Sequence, residues 1–132
     1  LYKRALVIAN KGDLLKTEEA FEALRRDFEE EFPMLPVSAE KGIGLTDIGK
    51  AIFELLRVIR IYTKVPGQKP ETRPLVLGTD SVVRDVAENL HRRFVTSFRF
   101  ARVWGSSVNF GGEMVGLNHI LSDHDVVEIH AR

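Results

Sequence analysis

Cysteine is absent from this 132-residue chain, which excludes disulfides and any thiolate-bound metal and fits a cytoplasmic protein. No apolar stretch approaches the ~20 residues that a bilayer-spanning helix needs, and no signal-like segment opens the chain, so no membrane partner is expected. An excess of one charge is also lacking. Nineteen Lys and Arg balance nineteen Asp and Glu, which excludes a strongly basic nucleic-acid binder and an acidic tail. There is no internal repeat and no low-complexity segment. What remains is a globular composition, 44% hydrophobic, with enough residues for one ordinary core or two small ones.

The most informative segment is Asn10-Lys11-Gly12-Asp13, directly after the apolar run Arg4-Ala-Leu-Val-Ile-Ala9. It reads as a buried strand ending in a short loop that carries an amide, a long cation and a carboxylate at fixed offsets. Such a loop can grip a guanine. The Asp13 carboxylate can accept hydrogen bonds from the base's N1–H and 2-amino groups, an arrangement adenine does not offer. Asn10 can hold N7 or brace the loop, and the aliphatic stem of Lys11 can cover the ring face. Taken alone the motif is common turn chemistry, since strand-to-helix turns are rich in Asn, Gly and Asp.

A second segment narrows the choice. Met34-Leu-Pro-Val37 reads as another short strand, followed by Ser38-Ala39-Glu40-Lys41-Gly42-Ile43-Gly44-Leu45. The Ala39 N–H is the candidate donor to the base's O6, and the Ser38 hydroxyl the candidate brace for Asp13. Adenine would set its 6-amino donor against that N–H, so the wrong base leaves a buried donor unpaired. The spacing leaves room for one helix between the two strands, as a parallel crossover requires. The pair of loops resembles the last two nucleotide-specificity motifs of the Ras-like GTPase superfamily, and Ser-Ala-x-x-Gly-x-Gly-Leu is the form seen in Obg-class GTPases. The resemblance implies that Asn10, Lys11 and Asp13 read the base while Ser38, Ala39 and Glu40 complete the pocket. Glu40 departs from the commoner Ser-Ala-Lys form, with Lys41 nearby.

No Gly-x-x-x-x-Gly-Lys-Ser/Thr precedes Asn10, and there is no magnesium-binding Thr and no Asp-x-x-Gly switch. The chain starts at Leu1 on the approach to a strand. The expectation is therefore the C-terminal portion of a GTPase, unable to hydrolyse GTP by itself; GTP or GDP would be its ligand, with magnesium held elsewhere in the intact protein.

Residues 1–56 read as strand–helix–strand–helix, the closing part of a doubly wound α/β domain and, by the resemblance, a partial Ras-like G domain. Thr17 is placed to cap a helix with Glu18 and Glu19 in its first turn. Phe21, Leu24, Phe28 and Phe32 fall on one face until Pro33. The run Glu29-Glu30-Glu31 reads as a solvated helix face. Leu45, Ile48, Ile52 and Leu55 mark the second helix. The strand over Arg4–Ala9 lacks a neighbour on its far side, so its open edge is a candidate for pairing with another chain, a dimer included.

Residues 57–132 read as α+β. Strands are predicted over Val58–Thr63, Pro74–Leu77, Phe98–Trp104 and Val126–Ile129, with a Gly-rich turn and a short strand or loop before the last. A helix is predicted after Gly78-Thr79-Asp80, with Asp80 and Thr79 as its cap and Val83, Val86, Ala87, Leu90 and Phe94 as its buried stripe. That order is the β-grasp (ubiquitin-like) fold. Arg60-Ile-Tyr-Thr-Lys-Val-Pro-Gly67, Ala101-Arg-Val-Trp-Gly-Ser106 and Val115-Gly-Leu-Asn-His119 with Leu121-Ser-Asp-His-Asp-Val-Val-Glu-Ile129 resemble the TGS domain, named for threonyl-tRNA synthetases, GTPases and SpoT stringent-response enzymes. A TGS domain straight after a GTPase helix is similar to the developmentally regulated GTP-binding proteins. This implies a translation-associated GTPase whose TGS domain contacts the ribosome, RNA or a partner protein.

Arg84, Arg92, Arg93, Arg99 and Arg102 gather near the grasp helix and the following strand. They are either a phosphate-contacting patch, with strong salt dependence, or an ordinary solvated face. Tyr62, Phe94, Phe100 and Trp104 all fit core positions. His119, Asp123, His124 and Asp125 surround a turn without metal-ligand spacing, and no nucleophile–base pair stands out, so neither a metal site nor a catalytic residue is assigned. The alternative to a guanine-reading fragment is a stand-alone TGS-type interaction module that binds no nucleotide.

Overall fold

A computed structural model of the chain describes residues 4–14, 17–28 and 31–132. The chain divides into two compact units, Leu1–Arg57 and Val58–Arg132. Arg57 ends the first by closing its last helix, with φ +50° and its N–H donated to the Glu54 carbonyl. Among the described residues no helix is long and apolar enough to cross a membrane.

The first unit runs β1 (Val7–Ala9), α1 (Thr17–Phe28), β2 (Met34–Pro36) and α2 (Leu45–Leu56). β1 and β2 pair in parallel, Val7 opposite Met34 and Ala9 opposite Pro36. α1 carries Glu18 and Glu19 in its first turn and Arg25 and Arg26 in its last, each charge complementing the helix dipole. Its described part runs to Phe28, and Phe32, expected on its face, lies outside any helix. The capping contact expected of the Thr17 side chain, and Glu29 and Glu30, lie outside the described residues. α2 is amphipathic, yet none of its residues is fully buried. Among the described residues of this unit Val37 is the buried large apolar side chain; Ile8, Leu24, Phe28, Ile52 and Leu56 are all exposed.

The second unit contains β3 (Val58–Lys64), β4 (Leu75–Gly78), α3 (Val83–Leu90), α4 (Arg92–Thr96), β5 (Phe98–Trp104), β6 (Glu113–Val115) and β7 (Val126–Ala131). Its sheet has the order β4-β3-β7-β5-β6. The first and last strands, β3 and β7, run parallel at the centre, and the other pairs are antiparallel. This is the β-grasp order, with the helix covering one face. Ile59 and Ile61 of β3, Ala101 and Val103 of β5, and Val127 and Ile129 of β7 bury against Val83, Val86 and Ala87 of α3 and Leu121. Period-two alternation puts the residues between them on the opposite face.

Three expectations change here. The cap of α3 is not Asp80 or Thr79. Asp80 sits in the preceding turn at φ +71°, and the helix starts after Val82, whose N–H is taken by the Asp85 carboxylate at 2.8 Å. The buried stripe does not reach Leu90 or Phe94, because the chain extends at His91 and restarts as α4, leaving both side chains exposed. Tyr62, Phe100 and Trp104 are not core residues. They alternate with the buried positions of β3 and β5 and lie, half-buried, on the face away from α3.

Candidate functional site

The ends of β1 and β2 are bound together by backbone. Val37 N–H donates to the Ala9 carbonyl at 2.8 Å, and Gly12 N–H donates to the Val37 carbonyl at 2.8 Å. The first loop is thereby folded back onto the end of the second strand. Lys11 turns the chain with φ +67°, a conformation stabilised by the Asn10 side chain, whose Oδ1 accepts the Lys11 N–H at 2.8 Å.

The second loop is closed by its own pair. Ser38 and Ile43 exchange backbone hydrogen bonds of 2.9 and 3.1 Å, so residues 39–42 form a tight excursion. Two side-chain contacts then join the loops directly. The fully buried Ser38 donates its hydroxyl to Asp13 Oδ1 at 2.5 Å, and accepts the Lys41 N–H at 3.2 Å. Asn10 Oδ1 also accepts the Ala39 N–H, at 3.1 Å. Asn10, Asp13, Ser38 and Ala39 are thus one connected cluster. Lys11 and Glu40 lie exposed at its rim. A cleft of about 750 Å³ opens beside it, lined by Asn10, Gly12, Leu14, Phe21, Val37 and Ile43.

Arg84, Arg92, Arg93, Arg99 and Arg102 of the second unit do not share a face. Arg84 lies exposed on α3, and Arg92 and Arg93 start α4. Arg99 is exposed near the start of β5, where a register irregularity separates Phe98 from Phe100. Arg102 lies between Ala101 and Val103, on the face away from α3, and reaches the Gly112 carbonyl at 3.3 Å.

That face holds a cluster that residue-by-residue reading did not single out. Lys64 and His130 both bond to Glu128, which is buried at the centre of the sheet; the His130 contact is 2.7 Å. Lys64 also lies 4.6 Å over the Trp104 ring, and His130 stacks on Phe100 at 4.3 Å. Burial by itself would push the Glu128 carboxyl up, but the hydrogen bonds and charges of Lys64 and His130 outweigh it and hold the carboxyl below its ordinary value. Nearer the start of β3, Arg60 grips Asp123 with Nε at 3.1 Å, Nη2 at 2.6 Å and its backbone N–H at 2.6 Å. The side-chain hydrogen bonds from Arg60 are the main reason the Asp123 carboxyl is held at about 2. The pattern was available in the alternation itself: if Ile59 and Ile61 point inward, Arg60, Tyr62 and Lys64 point outward together.

Over nearly its whole length the chain is similar to GTP-binding proteins. It is 40% identical over 131 residues to an uncharacterized GTP-binding protein of Methanocaldococcus jannaschii, covering 98% of this chain and 33% of that protein. It is 40% identical over 131 residues to ribosome-interacting GTPase 1 of Saccharomyces cerevisiae, covering 97% and 34%. To developmentally-regulated GTP-binding protein 1 of Xenopus laevis it is 33% identical over 132 residues, covering 98% and 34%. The chain therefore spans about a third of the length of these relatives. In fold it matches the crystal structure of a GTP binding protein from Pyrococcus horikoshii, with a TM-score of 0.74 at 19% identity, over 96% of this chain and 45% of that one. The family model for the TGS domain matches residues 59–131, more than half of the chain, and the chain belongs to the TGS domain family.

Proposed function

We propose that this chain is the guanine-reading end of a G domain joined to a TGS module, and that it works within a GTP-binding protein of the developmentally regulated kind that acts at the ribosome. The observation that carries this reading is the connected cluster of Asn10, Asp13, Ser38 and Ala39, built from two loops on parallel strands. Ser38 occupies one acceptor position of the Asp13 carboxylate, which has about four. The others are available for the N1–H and 2-amino groups of guanine. The Ala39 N–H faces the place for O6, and a base must share it with Asn10 Oδ1 or replace that oxygen. Adenine, with no N1–H and a donor at position 6, leaves both Asp13 and Ala39 mismatched.

Selectivity for the base is all these residues supply. The sequence carries no phosphate-cradling glycine loop with its lysine and no magnesium ligands of the GTPase type. In-line transfer of the γ-phosphoryl group to water would rest on residues outside these 132. The chain alone is expected to bind GDP with a Kd weaker than about 1 mM and ADP more weakly still. Titration calorimetry tests this. A low-micromolar Kd for GDP, or equal affinity for ADP, would overturn it.

The exposed Arg92, Arg93 and Arg99 favour a second reading, in which the TGS unit contacts ribosomal RNA through phosphates whether or not the loops hold a nucleotide. Filter binding of ribosomal RNA at two salt concentrations separates this from a protein-binding face: phosphate contacts predict a steep loss at the higher salt, a neutral protein-binding surface no RNA retention at either.

A further inference from the structure

We infer that Gly44, which touches no base-reading residue directly, is a positioning residue that sets the Ser38–Asp13 clasp and with it the recognition of the guanine 2-amino group. The inference rests on the guanine reading proposed above. Gly44 lies at φ +72°, where L side chains are strained, and it is also hemmed in. A Cβ placed on it would fall 2.7 Å from the Pro36 carbonyl oxygen and 3.4 Å from Val37 Cγ1. The carbonyl belongs to β2, paired to β1 opposite Ala9, so it cannot retreat without disturbing the strand pair.

The consequence reaches the site through a short path. Ile43, the residue before Gly44, holds Ser38 by both of its backbone hydrogen bonds. If a Cβ at position 44 drives the chain off Pro36, Ile43 moves with it, and Ser38 follows. Ser38 is fully buried and holds Asp13 Oδ1 at 2.5 Å, so the carboxylate loses its brace. Asp13 is the only proposed contact to the 2-amino group. The expected defect is therefore selective: loss of discrimination between guanine and hypoxanthine, which lacks that group, beyond any general weakening.

Gly42 supplies the control. It has the same φ of +72° but a Cβ there meets nothing within 4 Å. Gly42→Ala adds backbone strain without the collision. Gly12 is intermediate: its Cβ would lie 3.1 Å from the Val37 carbonyl oxygen.

The test is amide NMR titration of the 132-residue chain with GMP and IMP at millimolar concentration, for wild type, Gly42→Ala, Gly12→Ala and Gly44→Ala. The 13C resonance of the Asp13 carboxyl is followed alongside, and slow exchange of the Gly12 and Val37 amides reports that the strand pair survives. The wild type should prefer GMP about tenfold, the worth of a hydrogen bond to a charged group. Gly42→Ala should keep that ratio, Gly12→Ala should lower it partly, and Gly44→Ala should bring it close to one and move the Asp13 resonance. A ratio and an Asp13 resonance in Gly44→Ala matching those of Gly42→Ala would overturn the inference. If the wild type responds to neither nucleotide, the guanine reading falls. The Asp13 resonance then decides alone: displaced in Gly44→Ala but not in Gly42→Ala it upholds the positioning role, and unmoved in both it overturns it.

Discussion

The two units of this chain are held by different means. In Val58–Arg132 the central residues Ile61, Val83, Val86 and Val103 have no exposed surface at all, and hydrophobic burial across one sheet and one helix sets the structure. In Leu1–Arg57 the helices are also amphipathic, but Ile52 on α2 and Phe28 on α1 remain more than 40% exposed. There hydrogen bonds tie two loops to the tips of two strands. A site can thus be locally well defined on a unit whose described apolar residues stay largely exposed, although each hydrogen bond adds only ~1 kcal/mol where core burial adds ~1.5–3 kcal/mol per large side chain.

The sharpest way to break this contrast is to truncate one isoleucine in each unit. Ile61→Ala should cost about 2–5 kcal/mol in the second unit, whereas Ile52→Ala should stay within about 1 kcal/mol. Chemical denaturation followed by unit-specific amide signals measures both, and equal losses would show that the first unit has a core of its own. Gly105→Ala comes next. A Cβ there would collide with Oδ1 of the buried Asp125 and lie 3.0 Å from its Cα, at φ +151°. The collision should cost about 1–3 kcal/mol in thermal unfolding. Glu128→Ala leaves Lys64 and His130 without their shared partner and should cost a similar or slightly smaller amount, about 1–2 kcal/mol.

The smallest effect is the pH dependence of the Arg60–Asp123 pair. Its folded carboxyl titrates at about 2, below the ordinary value of about 3.9. A depressed acid pKa contributes stability above the unfolded value, and that contribution disappears as the pH falls from about 4 to 2. Asp123→Asn should flatten the acid limb of the stability profile in that window only. Because the pair is a third exposed, added salt should shrink the difference.

Much of the second unit was legible in the sequence because its periods are clean. The alternation in Phe98–Trp104 marks β5 with the bounds observed, and the Val83, Val86, Ala87 spacing marks the inner face of α3. What misled was local. A continuous 3.6-residue pattern hid the break at His91, which moves Leu90 and Phe94 off the core. The aromatic rings of Tyr62, Phe100 and Trp104 suggested burial by residue type, although their alternation with Ile61, Ala101 and Val103 assigns them to the other face. In the first unit the loop residues could be read from the two motifs. The closeness of Gly44 to the Pro36 carbonyl, and the sharing of Asn10 Oδ1 between Lys11 and Ala39, could not, because a glycine marks a turn or a close approach without naming the atom it meets, and an amide oxygen does not name its donors.

The central claim, that base recognition resides in the loops of the first unit, is tested most directly by a two-dimensional amide spectrum of the chain with GDP and then ADP titrated in. The account predicts shifts at Asn10–Asp13 and Ser38–Lys41 with GDP, little response to ADP, and an unchanged second unit. Equal shifts with ADP, or shifts confined to the sheet of residues 58–131, would contradict it.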